Sequence, residues 1–243
     1  MTQGQASKLV GIVCGLKSEA AAVEKAIAGA DLSRDSFLIG VSGADASRAE
    51  DIAEGFVEQG AIALLSVGVS GGLDPALMPG DLVVAETVLR TGASDEATGV
   101  RLDNPKSDNL NTLAPDIPRS LIYGSDIIIQ SAEEKARLFR ETQAVAVDME
   151  SHAVAQSAMV HGIPFLAIRA IADPAERALP KAALGAIAAD GSTRIAHTLL
   201  QITKAPGDFP ALLKLGSDSE KANARLRSDL GGLLRGLLFC LDL

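Results

Sequence analysis

Basic residues are in short supply. Lys and Arg number 22 against 31 Asp and Glu, a formal charge of -9. A surface of that sign repels phosphodiester backbones and anionic lipid, which speaks against nucleic acid as a partner. Cysteine is scarcer still. Cys14 and Cys240 lie far apart in the chain, with neither the pattern of a disulfide framework nor metal-ligand spacing, so a reducing cytoplasm is the expected compartment. His152 and His161 likewise have no partner at metal-ligand spacing, and no bound metal is expected. No apolar run approaches the ~20 residues needed to cross a bilayer, and the opening MTQGQASKLV lacks the basic-then-apolar layout of a signal peptide. There is no internal repeat and no low-complexity tract. What the chain does have is 47% hydrophobic residues over 243, enough for one large α/β domain with a sizeable core, or a domain plus an appendage.

The stretch from Ala144 to Pro174 organises the rest. It reads as a short strand through Val145 and Val147, then Asp148-Met149-Glu150, then a helix capped by Ser151 that buries Val154, Ala155, Ala158 and Met159. Gly162 and Pro164 stop that helix, and Phe165 to Ile171 is an apolar strand interrupted only by Arg169. Parallel strands joined by a crossover helix bring their carboxyl ends to one edge. Glu150 and Asp173 are therefore expected to face one crevice, where open α/β sheets bind ligands.

Upstream, Lys8–Cys14 reads as a buried strand and Ser18 to about Ala28 as a helix, which puts Glu19 at another strand end. Strands are expected at Phe37–Val41, Ile62–Val67 and Leu82–Val88, with a helix over Ala46–Glu58. From Thr91 to Arg119 the pattern dissolves into Asp, Asn, Pro and Ser, the composition of a long loop or lid. Ile122, Tyr123 and the run Ile127–Ile129 resume the sheet, and Ser131 with Glu134 forms a capping box. A helix near Thr193–Thr203 precedes a boundary at Pro206, Gly207 and Pro210. These signals give a catalytic domain over residues 8–203 and an amphipathic helical extension over residues 204–243.

Three acids at strand ends (Glu19, Glu150, Asp173) suit cleavage of a glycosidic bond to a heterocyclic base. The base leaves poorly as an anion and needs a proton, the sugar turns cationic and favours negative charge, and an attacking water needs a base. Crowded carboxylates resist ionising together, so one can keep its proton near neutrality. A lone acid in such a place is more often a helix cap or a solvated carboxylate; the convergence of three carries the reading. The glycine-rich GVSGGLDP, with Gly71, offers backbone N–H groups to an anion or sugar, and it lacks the dinucleotide G-x-G-x-x-G spacing. It also matches G-x-S-x-G, so Ser70 with Asp173 and His197 forms a serine-hydrolase alternative. The residues after Ser70 do not continue as a good helix, and no upstream His-Gly-Gly motif is present. Met149, between two acids, is either core filler or an apolar face for the sugar.

With Glu19, SVGVSGGLDP, PGDLVV, AVAVDMESHAVA and GIPFLAIRAIAD, the chain resembles the nucleoside phosphorylase/nucleosidase superfamily from Leu9 to about Thr203. VDMESHAVA, RAIADPAERALP and PGDFPALL are similar to its hopanoid-associated phosphorylase branch, thought to remove adenine from adenosylhopane. The resemblance implies a three-layer αβα fold with a mostly parallel twisted sheet, and a homodimer. It assigns Asp173 to the purine N7 as proton donor, Glu150 to the ribose hydroxyls and Met149 to the sugar face. Glu19 matches the acid that activates water in methylthioadenosine/adenosylhomocysteine nucleosidases, and the backbone at Ile127 and Ile128 would hold the base edge. Phosphorylases of the superfamily usually have arginine where Ser66 stands, and here the first turn carries Lys17 and Glu19. A carboxylate repels phosphate, so water is favoured as nucleophile. Lys17 and Arg48 keep phosphorolysis open, with phosphate as co-substrate; no cofactor is otherwise implied. Leu233, Leu234, Leu237, Leu238 and Phe239 are expected to pack on the domain or a partner subunit, to shelter a lipid-linked substrate, or to touch a membrane surface.

Overall fold

The computed structural model describes residues 9–90, 100–103, 119–183, 185–193 and 206–241. Apolar runs bounded by glycine and polar turns give β1 (Leu9–Cys14), β2 (Phe37–Val41) and β3 (Ala61–Gly72), which pair in parallel in the order β2-β1-β3. The helices between them are α1 (Lys17–Gly29) and α2 (Ala46–Glu58), the latter capped by the Asp45 side chain accepting from Arg48 N. Next come β4 (Leu82–Arg90), β5 (Val100–Asp103), β6 (Arg119–Gly124), α3 (Ala132–Thr142), β7 (Ala146–Asp148), α4 (Ser151–His161), β8 (Phe165–Asp173) and α5 (Phe209–Cys240).

Among the described residues, two helices cover each main face of the sheet. Val23, Ile27, Leu226, Leu230 and Leu234 of α1 and α5 pack on β1, β3 and β8. Ala53, Phe56, Val154 and Ala158 of α2 and α4 pack on the opposite face, with Leu64, Val83 and Phe165. The fold is thus a three-layer αβα arrangement around a mixed, mostly parallel sheet. No helix of the described residues is long and apolar enough to cross a membrane.

The register departs from the simple strand–helix–strand expectation. β8 runs parallel to β3 from Leu64↔Phe165 to Gly71↔Asp173, whereas β7 runs antiparallel to β3 through Gly71↔Val147 and Gly72↔Ala146. β7 and β8 are therefore not a parallel pair. They flank the far end of β3, and Gly71 is in register with Asp173 on one side and Val147 on the other. β8 also pairs antiparallel with β4, β4 parallel with β6, and β6 parallel with β7, so five strands close into a circuit. β3 continues through the glycines to Gly72 instead of ending at Val67, because those backbone groups are needed by both neighbours.

Ile127–Ile129 lies outside the strands. Ser125 Oγ accepts from Ile127 N at 3.2 Å and donates to Ile127 O at 2.7 Å, closing a turn in place of the ladder. In α4 the cap also differs: Glu150 is the N-cap, and Asp148 Oδ1 accepts from Ser151 N at 3.0 Å. Met159 is exposed, not buried. The extension is one 32-residue helix, α5. Leu233, Leu234 and Leu237 are buried within the sheet–helix core, Leu238 is half-buried, and Phe239 is exposed. Most of the expected lid between Thr91 and Arg119, the helix near Thr193–Thr203, and His197 lie outside the described residues.

Candidate active site

A cavity of about 460 Å³ opens at the carboxyl ends of β1, β7 and β8, a volume suited to a small ligand. Glu19, Glu150 and Asp173 all line it, as do Met149, Ser70, Gly71, Ile127 and Ile128.

Glu19 stands in the first turn of α1 and reaches back to its own helix start. Its Oε2 accepts from Gly15 N and Leu16 N, both at 2.9 Å, and Oε1 accepts from Val69 N at 2.8 Å. The capping role and the cavity-facing role are thus held by the same carboxylate. Burial pushes its pKa up, while Arg169 and the three N–H groups pull it back. Backbone must come close for this to work. A Cβ on Gly15 would lie 2.5 Å from Glu150 Oε1, and one on Gly68 would lie 2.7 Å from Glu19 Cδ.

Arg169, the single charge in an otherwise apolar strand, is the centre of the acid cluster. It is wholly buried, donating to Asp148 Oδ2 and Ser66 Oγ at 2.5 Å each, to Ser151 Oγ at 3.1 Å and to Glu150 Oε2 at 3.4 Å. Burial opposes its charge, but Asp148, Glu150 and Glu19 outweigh that and hold it protonated. Three carboxylates around one guanidinium leave negative charge in excess. The Glu150 carboxyl accordingly rises to about 8, through burial first and then through Asp148 and Glu19, against Arg169. Ser66 fills the position at which an arginine would crowd this guanidinium.

Asp173 ends β8 with Oδ2 against the Lys135 ammonium and Oδ1 buried without a hydrogen-bond partner among the described residues. Burial raises its pKa while Lys135 opposes. Lys135 escapes a reading of the sequence because it sits among Glu133, Glu134 and Arg137; its signal is the three-residue spacing to buried Leu138. The other unanticipated feature is the number of apolar side chains in the cavity wall. Leu179, Ala186 and Ile187 after β8, and Leu215 of α5, line it together with Ile127 and Ile128.

The remaining residues fall away from the cavity or are already engaged. His152 is buried and pairs with Asp126 at 3.0 Å, and His161 pairs with Glu54 of α2 at 2.6 Å. Lys17 is paired with Asp190 at 2.6 Å. Arg48 donates to the carbonyls of Ser42 at 2.5 Å and Gly43 at 3.3 Å. Ser70 lies within extended β3, not on a strand-to-helix elbow, and its Oγ has no hydrogen-bond partner among the described residues. The strand-to-helix elbow that the serine-hydrolase alternative expects is thus not formed at Ser70, and its proposed base, His197, lies outside the described residues.

The model of the phosphorylase superfamily matches residues 33–204, more than two thirds of the chain. The chain belongs to the phosphorylase superfamily. Among superfamily members, a 5′-methylthioadenosine/S-adenosylhomocysteine nucleosidase of Baumannia cicadellinicola is 32% identical over 130 residues, covering 46% of this chain and 57% of that protein. The Staphylococcus epidermidis protein of the same name is 28% identical over 146 residues, covering 50% and 64%. The matches thus span less than two thirds of those relatives. Among solved structures, futalosine hydrolase of Helicobacter pylori superposes with a TM-score of 0.70 at 17% identity, covering 94% of this chain and 98% of that one. S-adenosylhomocysteine nucleosidase from Streptococcus pyogenes, in complex with 5-methylthiotubericidin, gives 0.69 at 18% identity, covering 96% and 99%. These structural likenesses establish the superfamily fold.

Proposed function

We propose that this protein is a nucleosidase that hydrolyses the N-glycosidic bond of an adenine nucleoside. The observation that carries the reading is the gathering of Glu19, Glu150 and Asp173 around one cavity. Asp173, through the free Oδ1, donates a proton to the base N7 as the bond from C1′ to the base breaks and its electrons stay with the base. Glu150 holds the ribose hydroxyls, and the acid cluster around it favours the cationic sugar; Met149 packs on the sugar face. Glu19 accepts the proton of the water whose oxygen bonds to C1′. The backbone at Ile127 and Ile128 meets the base edge, and Ser70 and Gly71 face the ligand.

Water is favoured over phosphate on two grounds. Lys17 and Arg48 already have anionic or carbonyl partners, and phosphate beside the Glu19 carboxylate would meet repulsion. The relatives and structural neighbours above are also named for hydrolysis. The apolar residues in the cavity wall (Leu179, Ala186, Ile187, Leu215) support a substrate with an apolar group on the ribose 5′ carbon, and adenosylhopane is our reading of it. We further infer a cytoplasmic homodimer.

The test is incubation with 5′-methylthioadenosine and with adenosylhopane, with and without phosphate. Free adenine and a free ribosyl product are expected in both conditions, with adenosylhopane turned over faster than 5′-methylthioadenosine. A ribosyl 1-phosphate formed only with phosphate would make the enzyme a phosphorylase. Release of no adenine from any nucleoside would end the proposal. Asp173→Asn should lower turnover by ~10²–10⁴-fold, the usual contribution of a general acid, with circular dichroism unchanged.

A further inference from the structure

Asp173 does not stand alone at the end of β8. Lys135, in the first turn of α3, has no exposed surface and commits its whole ammonium to the segment that begins there. One hydrogen bond goes to Asp173 Oδ2, one to the carbonyl of Pro174 at 3.1 Å and one to the carbonyl of Arg177 at 2.9 Å. α5 holds the same segment from the other side: Arg177 pairs at 2.8 Å with buried Asp218, which Lys221 flanks at 3.2 Å and Lys214 at 3.8 Å. Packing alone does not account for a buried ammonium, since methionine fills similar volume without the desolvation cost.

We propose that Lys135 is a positioning residue for the proton donor: it fixes Oδ2 so that Oδ1 alone meets the base, and its charge stabilises the carboxylate left behind. The inference rests on the reading of Asp173 as the acid. In the step itself the Oδ1–H bond breaks and an N–H bond forms on the base. The negative charge that remains on Asp173 is shared with Oδ2, which the ammonium already contacts, and Lys135 loses no proton. Opposite charge placed against the product of a transfer, and prepared beforehand, is the form of electrostatic help that lowers a barrier. The charges around the pair are those of Glu176, Arg177 and Asp218.

The experiment measures turnover of 5′-methylthioadenosine against pH for the wild type, Lys135→Gln, Lys135→Arg, Asp173→Asn and the Lys135→Gln/Asp173→Asn double variant. Glutamine can still donate to the Pro174 and Arg177 carbonyls but carries no charge. Lys135→Gln is expected to slow turnover by about 10–100-fold and to move the alkaline fall in activity up by about 1–3 pH units, the usual effect of one close opposite charge. Lys135→Arg should keep the wild-type position of that fall and at least about a tenth of the turnover. In the Asp173→Asn background Lys135→Gln should cost no more than about twofold, because residues acting as a unit are not additive. A 4-nitrophenyl riboside, whose aglycone departs without a proton, should be cleaved by Lys135→Gln at close to the wild-type rate.

An alkaline fall that stays in place in Lys135→Gln, or an equal loss on both substrates, makes Lys135 a structural tie and overturns the inference. If Lys135→Gln does not fold, loss of activity in folded Lys135→Arg overturns it as well. Near-normal turnover by Asp173→Asn would instead sink the proton-donor reading itself, which separates the two failures.

Discussion

At the scale of single residues the site depends on what is small and on one cation. Gly15 lets the Glu19 and Glu150 carboxylates approach each other, since a Cβ there would come within 2.5 Å of Glu150 Oε1. Gly15→Ala should therefore displace Glu150 and lower turnover of an adenine nucleoside by about 10²-fold, the cost of roughly 1 Å of misplacement at a reacting centre. A steady-state assay reads this directly. Arg169 is the converse case. Arg169→Met leaves Asp148 and Glu150 buried without their counter-charge, and should destabilise the protein by about 3–5 kcal/mol in urea unfolding. Glu19, Glu150 and Asp173 were legible in the sequence because each follows an apolar run that ends sharply. Lys135 was not, because a lysine between acids on a helix ordinarily looks solvated. What buries it is the tertiary contact with residues 173–177, which no local pattern records.

At the scale of elements, most of the strands and helices followed from hydrophobic period and capping, with Phe37–Val41 and Ala46–Glu58 at their expected bounds. The pairing of β7 did not. A three-residue strand carries too little pattern to reveal its partners, and its antiparallel ladder with β3 arises from the glycines at 71 and 72. Glu150 and Asp173 nonetheless share the cavity, because both strands end beside Gly71. The isoleucine run at 127–129 shows the opposite failure: β-branched residues read as strand, while Ser125 ties the backbone into a turn. For α5, buried and exposed positions separate cleanly. Leu230→Ala or Leu234→Ala should cost about 2–5 kcal/mol in thermal or urea unfolding. Phe239→Ser, at a side chain 83% exposed, should change stability by no more than about 0.5 kcal/mol.

For the molecule as a whole, the clustered acids tie stability to pH. The Glu150 carboxyl is raised in the folded state from its usual 4.5 to about 8, so the fold keeps a proton that the unfolded chain gives up earlier. Stability from this group is fully present below about pH 4.5 and is lost as pH rises through about 8. Glu19 and Asp173 are raised as well and act in the same direction. Between about pH 5 and pH 9 the melting temperature of the wild type should fall, and that of Glu150→Gln should fall less; equal slopes would contradict the charge balance drawn around Arg169.

The closed circuit of β3, β8, β4, β6 and β7 also decides where this protein is open to its neighbours. Among the described residues only β2 and β5 are paired on a single side. An intruding strand, from a misfolded copy or a fibril seed, can add only at Phe37–Val41 or Val100–Asp103. β7 and β8, which lead into Glu150 and end at Asp173, present no such margin, so any strand-exchange aggregate would have to start away from the cavity.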